Sequence, residues 1–177
     1  CGYYSDNVEK FYHTVDESGS CPECQAKIVA LVRGTEERYF TTLKGAFEWS
    51  STLSEVEIAL MDNVTDGDFR VQSGNVIKLD LNGYTAKLYN GRIYVHGKLT
   101  ICDGSQGKTG LIEASSEYSY IVQMMDGGEL IINSGNFSGL IYSGISSSQS
   151  ASIVVNGGKF TGGEKFRLQS GTSVEIN

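Results

Sequence analysis

Apolar residues recur along this chain in short alternating bursts, apolar-x-apolar, each closed by a polar turn residue. Ile132-Asn133-Ser134-Gly135-Asn136-Phe137-Ser138-Gly139 almost superimposes on Val155-Asn156-Gly157-Gly158-Lys159-Phe160-Thr161-Gly162. The same burst appears in Leu79-Asp80-Leu81-Asn82-Gly83, in Leu99-Thr100-Ile101-Cys102-Asp103-Gly104 and in Val174-Glu175-Ile176-Asn177. Anchored on the residue after the second apolar position, the series is Asn82, Cys102, Asn133, Asn156, Asn177, in steps of 20, 31, 23 and 21 residues. Alternation with period two points every second side chain inward. It predicts one inward column of Leu79, Leu99, Leu130, Ile153 and Val174, and a second of Leu81, Ile101, Ile132, Val155 and Ile176. A further apolar stretch follows most anchors: Ile93-Tyr94-Val95, Tyr120-Ile121-Val122, Leu140-Ile141-Tyr142 and Phe166-Arg167-Leu168. Each repeat therefore holds at least two strands. Units of this length, made only of short strands and Gly/Asn turns, bury their apolar side against neighbouring units, which predicts a β-solenoid rather than an antiparallel sandwich. Asparagines at equivalent positions then stack as a hydrogen-bonded ladder.

Upstream the period changes. Leu43, Ala46, Phe47 and Ser50 fall at i, i+3, i+4 and i+7, with Thr41 or Thr42 placed to cap, so residues 42–53 read as a short amphipathic helix. A solenoid end exposes apolar side chains and strand edges, and this helix is expected to cover the first rung. Before it, Ile28 to Val32 and Arg38 to Thr41 form a hairpin turning at Gly34 and Thr35. Residues 55–64, with Val56, Ile58 and Leu60, begin the first rung, and Asp66-Gly67-Asp68 reads as a solvated turn rather than a calcium site. The expected organisation is 1–27 as a Cys-bearing leader, 28–54 as hairpin and capping helix, and 55–177 as a solenoid of about six rungs. The pattern starts at Cys1 and stops at a rung boundary, as expected for a monomeric module of a longer chain.

The formal net charge of −7, with only 14 Lys and Arg among 177 residues, disfavours a nucleic-acid partner and docking on an anionic membrane. No apolar run approaches the length of a membrane span. Twenty-two Gly, one Pro and 10 Tyr agree with an all-β chain rich in turns.

The stretch from Tyr39 to Asn177 resembles the right-handed parallel β-helix (pectate-lyase-like) modules of surface proteins from gut-dwelling Firmicutes. The resemblance rests on Tyr39-Phe40-Thr41-Thr42-Leu43-Lys44-Gly45-Ala46-Phe47-Glu48, on Leu79-Asp80-Leu81-Asn82-Gly83-Tyr84, and on the Gly-Gly-x-Leu-x-Ile and Gly-x-Phe-x-Gly repeats. It implies an all-β, right-handed parallel β-helix and an extracellular or cell-wall-attached location.

Of the four cysteines, Cys21-Pro22-Glu23-Cys24 forms a CxxC knuckle, a turn that sets two thiolates on one metal. The phrase from His13 to Cys21 is similar to zinc-ribbon-like leaders found before such β-helix modules. That similarity implies a structural Zn²⁺ held by Cys1, His13, Cys21 and Cys24. Gln25 departs from the pattern by standing where Gly eases the knuckle turn. Disulfides, expected of a secreted chain, are the rival reading. Cys102 occupies the ladder position and reads as a structural substitute for Asn, and His96 as a surface or turn histidine.

The β-helix fold also hosts polysaccharide lyases and hydrolases, but fold does not carry function. The outward columns are expected to be Asp80, Thr100, Ile131, Val154, Glu175 and Lys78, Lys98, Glu129, Ser152, Ser173. In the first, the acids stand four rungs apart, about 19 Å at strand spacing. Glycosidic carboxylate pairs need about 5–9.5 Å. The chain is therefore expected not to be an enzyme. The 31-residue rung carries an insertion within Asp103–Tyr120, and the next carries Ser146-Ser147-Ser148-Gln149-Ser150. Tyr, Ser and Gly are the composition of adaptable recognition loops. Tyr118, Tyr120 and Tyr142, with outward Ile131 and Val154, are the expected contacts for a host protein or glycan, immunoglobulin among the candidates. The alternatives are a structural stalk spacing other domains and a fragment of a polysaccharide-active enzyme.

Overall fold

The computed structural model describes residues 13–116, 118–146 and 148–177. The strands β3 (Glu55–Leu60), β6 (Val76–Asp80), β9 (Lys98–Cys102), β12 (Glu129–Ile132), β15 (Ala151–Val155) and β18 (Thr172–Ile176) stack in parallel as sheet I. Sheet II holds β4 (Val64–Asp66), β7 (Thr85–Leu88), β10 (Leu111–Ala114), β13 (Asn136–Ser138) and β16 (Lys159–Thr161). Sheet III holds β5 (Phe69–Val71), β8 (Ile93–Val95), β11 (Tyr120–Met124), β14 (Leu140–Ser143) and β17 (Phe166–Arg167). The chain is an all-β parallel β-helix of about five turns, with β18 opening the next. Each turn has three strands. The third, sheet II, comes from the Asn-Phe-Ser and Lys-Phe-Thr segments, whose central residue alone turns inward.

The two inward columns of sheet I carry the core as far as β15, while Val174 and Ile176 of β18 are exposed. One runs Val56, Ile77, Leu99, Leu130, Ile153, Val174, and the other Ile58, Leu79, Ile101, Ile132, Val155, Ile176. This corrects the expected alignment in the second rung, where Leu79 pairs with Ile101 and Ile77 with Leu99. Leu81 lies beyond the strand, fully buried. A shift of two residues leaves every inward side chain inward, so the hydrophobic pattern alone does not distinguish the two registers. Asp80, not Asn82, is therefore the neighbour of Cys102. Asn82 instead takes a left-handed φ of 47° and donates to Leu60 O at 3.0 Å. The outward columns shift with it. Glu57, Lys78, Thr100, Ile131, Val154 and Glu175 share one, and Val76, Lys98, Glu129, Ser152 and Ser173 the other.

The N-terminal end is covered as expected. Strands β1 (Ala30–Arg33) and β2 (Glu37–Phe40) form the hairpin, and β1 continues sheet I antiparallel to β3, so the first rung presents no free edge there. Helix α1 (Leu43–Ser50) buries Leu43, Ala46, Phe47 and Ser50, and Phe47 stacks on Phe69 of the first rung at 5.1 Å. The helix ends at Ser50, short of residue 53. Its first amides are satisfied twice: Thr42 Oγ1 accepts from Gly45 N at 3.0 Å, and Asp66 Oδ2 from Lys44 N at 2.9 Å. The Asp66-Gly67-Asp68 turn thus ties the cap to the first rung.

Candidate functional site

Two regions hold the chemistry. The first is the knuckle beside the hairpin. Asp16 Oδ1 accepts from Ser18 N at 2.8 Å and Ser20 N at 3.1 Å, which folds residues 16–20 back toward the knuckle. Cys21 N donates to Ala26 O at 2.8 Å and Gln25 N to Cys21 O at 2.7 Å, closing the loop around Pro22 and Glu23. An antiparallel bridge between His13 and Tyr39 sets the imidazole beside this loop. Cys24 Sγ lies 3.7 Å from His13 Nδ1, and the ligand atoms of His13, Cys21 and Cys24 all lie within 4.8 Å of one another. The hydrogen bond with His13, helped by the backbone amides of Cys24 and Glu23, draws the Cys21 thiol down to about 6. One imidazole and two thiols, one already favouring thiolate, suit a borderline-soft cation such as zinc. No disulfide joins Cys21 to Cys24. Cys1 lies outside the described residues. Gln25 has φ 57°, the left-handed backbone that glycine adopts without strain.

The second region is the outer face of sheet III. The register places Arg70, Tyr94, Gln123, Tyr142 and Arg167 in one outward column. Their side chains interlock along the axis. The Arg70 guanidinium sits 4.5 Å over the Tyr94 ring, and that of Arg92 sits 4.7 Å over Tyr120. Tyr120 stacks on Tyr142 at 4.8 Å, and Gln169 Nε2 donates to the Tyr142 hydroxyl at 3.0 Å. Arg92 Nη1 also donates to Gln123 Oε1 at 3.0 Å.

Of the expected contact residues, Tyr120 and Tyr142 meet here. Tyr118 is 76% exposed on the loop entering sheet III, near Gly163 of the corresponding corner below. Ile131 and Val154 pair with each other on sheet I, half-buried, so the five residues fall on two faces rather than one patch. The insertions also separate. Residues 103–110 lie between sheets I and II, residues 115, 116, 118 and 119 between II and III, and residues 144–146 and 148–150 between III and I. The first is held in place rather than loose, because buried Asp103 accepts from Gly83, Ser105 and Gly110 amides at 2.9, 3.1 and 2.6 Å. The other two flank sheet III. Arg70, Tyr94, Arg92, Gln123 and Arg167 escape the sequence reading. The available signal was the central residue of each third strand, as in Phe69-Arg70-Val71 and Ile93-Tyr94-Val95.

His96 is a half-buried turn residue, and Cys102 sits between Asp80 and Asn133 on the outside of sheet I. These features define a class: a parallel β-helix with a capped end and a His/Cys/Cys group that could bind a metal ion. No protein-family model, curated protein or solved structure matches the chain.

Proposed function

We propose that this chain is a non-catalytic recognition module of a secreted or cell-surface protein, like the gut Firmicutes surface modules it resembles. Its β-helix presents a face to a host protein or glycan, with immunoglobulin among the partners to be tried first. The observation that carries the reading is the Tyr120–Tyr142 stack on sheet III, flanked by Ser115, Ser116, Tyr118 and Ser119 on one side and by residues 144–146 and 148–150 on the other. Tyr offers rigid amphipathic area, and the adjoining Ser-rich loops offer adaptable hydrogen bonds. The carboxylates of the solenoid favour a non-catalytic reading because many already have structural partners. Glu57 pairs with Lys78 and Arg33, Glu113 with Lys87, Glu129 with Lys98 and Glu164 with Arg167. Asp66 caps α1 and Asp103 anchors a loop. In the same reading the knuckle holds zinc as a structural ion, with Cys1 as the fourth ligand, and locks the leader onto the hairpin.

The test is capture from human serum, mucus and intestinal immunoglobulin on the immobilised chain, beside a Tyr118→Ala/Tyr120→Ala/Tyr142→Ala variant whose fold is verified by circular dichroism. A specific partner lost in the variant supports recognition at this face. No partner from any secretion moves the stalk reading to the front, and equal capture by both removes the tyrosines from the site. For the metal, Co²⁺ titration should give a thiolate-to-cobalt charge-transfer band that Cys24→Ser weakens. Its absence removes zinc.

A further inference from the structure

We propose that sheet III is a docking face for an acidic segment of a protein partner, with Arg70 and Arg92 receiving its carboxylates. The inference rests on the recognition reading and names the partner's chemistry. Within residues 55–177 the sequence holds three arginines, Arg70, Arg92 and Arg167, and all three lie on or beside this face. The strands of sheet III contain no Asp or Glu. The strand acids fall instead on sheet I (Glu55, Glu57, Asp80, Glu129, Glu175) and sheet II (Asp66, Glu113), while among the turn acids Asp68 accepts from Arg92 N and Glu164 pairs with Arg167. A chain of net charge −7 has therefore gathered its solenoid arginines on or beside the one sheet whose strands carry no acid. Such a face attracts an anionic partner and rejects like-charged ones.

The geometry of the rings selects the kind of partner. Saccharide rings stack on open aromatic faces, and those of Tyr94 and Tyr120, at the centre of the sheet, are engaged. Tyr94 lies under Arg70 and within 5.8 Å of Arg92, and Tyr120 lies between Arg92 at 4.7 Å and Tyr142 at 4.8 Å. What remains for a partner is ring edges, hydroxyls and the in-plane donors of the guanidinium groups. A guanidinium stacked on a ring keeps its fork free for bidentate pairing with a carboxylate. Arg167 already spends its fork on Glu164, at 2.5 and 3.0 Å. Arg70 is exposed, with no acceptor and no ion pair among the described residues; half-buried Arg92 has no ion pair among them but already donates through Nη1 to Gln123 Oε1, leaving its other terminal nitrogen for a partner. Stacking also fixes the two forks before a partner arrives, which lowers the ordering cost of binding. From Arg70 to Arg167 the face spans four rung steps, about 19 Å, the reach of about six residues of extended chain.

The experiment uses a fluorescein-labelled oligoglutamate peptide as the probe, with polygalacturonate as a carboxylated glycan counterpart. Both are titrated onto the full chain, onto Arg70→Gln, onto Arg70→Gln/Arg92→Gln, and onto Arg33→Gln as an off-face control. Oligoglutamate is expected to bind the native chain, to weaken as salt rises, and to lose about tenfold or more in Kd in the double variant. Arg33→Gln should leave it unchanged. Arg70 is exposed and, among the described residues, stacks only on Tyr94, so the single variant keeps the test sound if loss of Arg92 disturbs folding. No oligoglutamate binding, equal binding by the arginine variants, or tighter binding of polygalacturonate overturns the inference. The double variant is also run in the capture from secretions. A partner it retains in full overturns the arginine face while leaving recognition intact, whereas a chain that captures nothing and binds no oligoglutamate loses both.

Discussion

Asn156 Nδ2 donates to Asn133 Oδ1 at 2.9 Å, and Asn156 Oδ1 in turn accepts from Asn177 Nδ2 at 2.8 Å. Asn156 is thus the middle of a three-rung amide ladder at the exit of sheet I, donating to Asn133 and accepting from Asn177 along the axis. The two preceding positions hold Cys102 and Asp80, where the amide chemistry stops.

Asn156→Ala removes both side-chain bonds. These bonds are exposed, so their net worth is modest, about 1–2 kcal/mol together. Urea unfolding should show that loss with an unchanged m-value. Replacing Asn82, outside the ladder, should leave the Asn133–Asn156 bond intact while removing only its own bond to Leu60.

Asp103 gives an acid-sensitive element. Burial pushes its carboxyl up, but the hydrogen bonds from Ser105, Gly110 and Gly83 outweigh this and hold it below its ordinary 3.8. A lowered folded value means the stabilisation is complete above about 3.8 and is lost as pH falls through the lower folded value. Asp103→Asn should cost about 2 kcal/mol, because the amide nitrogen must then face a backbone N–H. The variant should also lose part of the native chain's stability decline between pH 4 and 2, as read by thermal melts across that window (about two pH units).

The turns into sheet I require glycine for steric reasons. A Cβ on Gly128 would stand 2.2 Å from Val95 O, and one on Gly97 2.2 Å from Gln72 O, both rigid backbone. Gly128→Ala should therefore cost about 3 kcal/mol, at the upper end of overpacking penalties. Its neighbour Gly127 has φ 78° but open space, so Gly127→Ala should cost only the left-handed backbone strain, about 1–2 kcal/mol. Denaturant midpoints that rank these two the other way would refute the steric account.

At the knuckle, Gln25→Gly relieves a left-handed non-glycine residue and should stabilise the loop by about 1 kcal/mol. The same change should tighten Co²⁺ binding. Affinity in both proteins should fall as pH drops through about 6, where the Cys21 thiol regains its proton. A Co²⁺ titration series from pH 5 to 8 checks both expectations (roughly the window of thiol and imidazole protonation).

Much of the architecture follows from local chemistry in the chain. Alternating bursts with Asn and Gly turns can bury their apolar side only by stacking, so the solenoid was legible from repeats alone. The buried face of α1, down to Leu43, Ala46, Phe47 and Ser50, follows from helical spacing, and the Thr42 cap from its hydroxyl. Cys21 and Cys24 were legible as a pair from their CxxC spacing, and His13 joined them only through the resemblance to zinc-ribbon-like leaders. Tertiary structure decided the rest. A two-residue slip keeps inward side chains inward, so only packing between the second and third rungs chose Asp80 over Asn82. Three-residue strands such as Asn136–Ser138 carry one inward residue each, too short for a periodic signal, so sheet II emerged only from stacking. The arginine and tyrosine column on sheet III joins residues 19 to 29 positions apart, which become neighbours only when register sets one rung on the next.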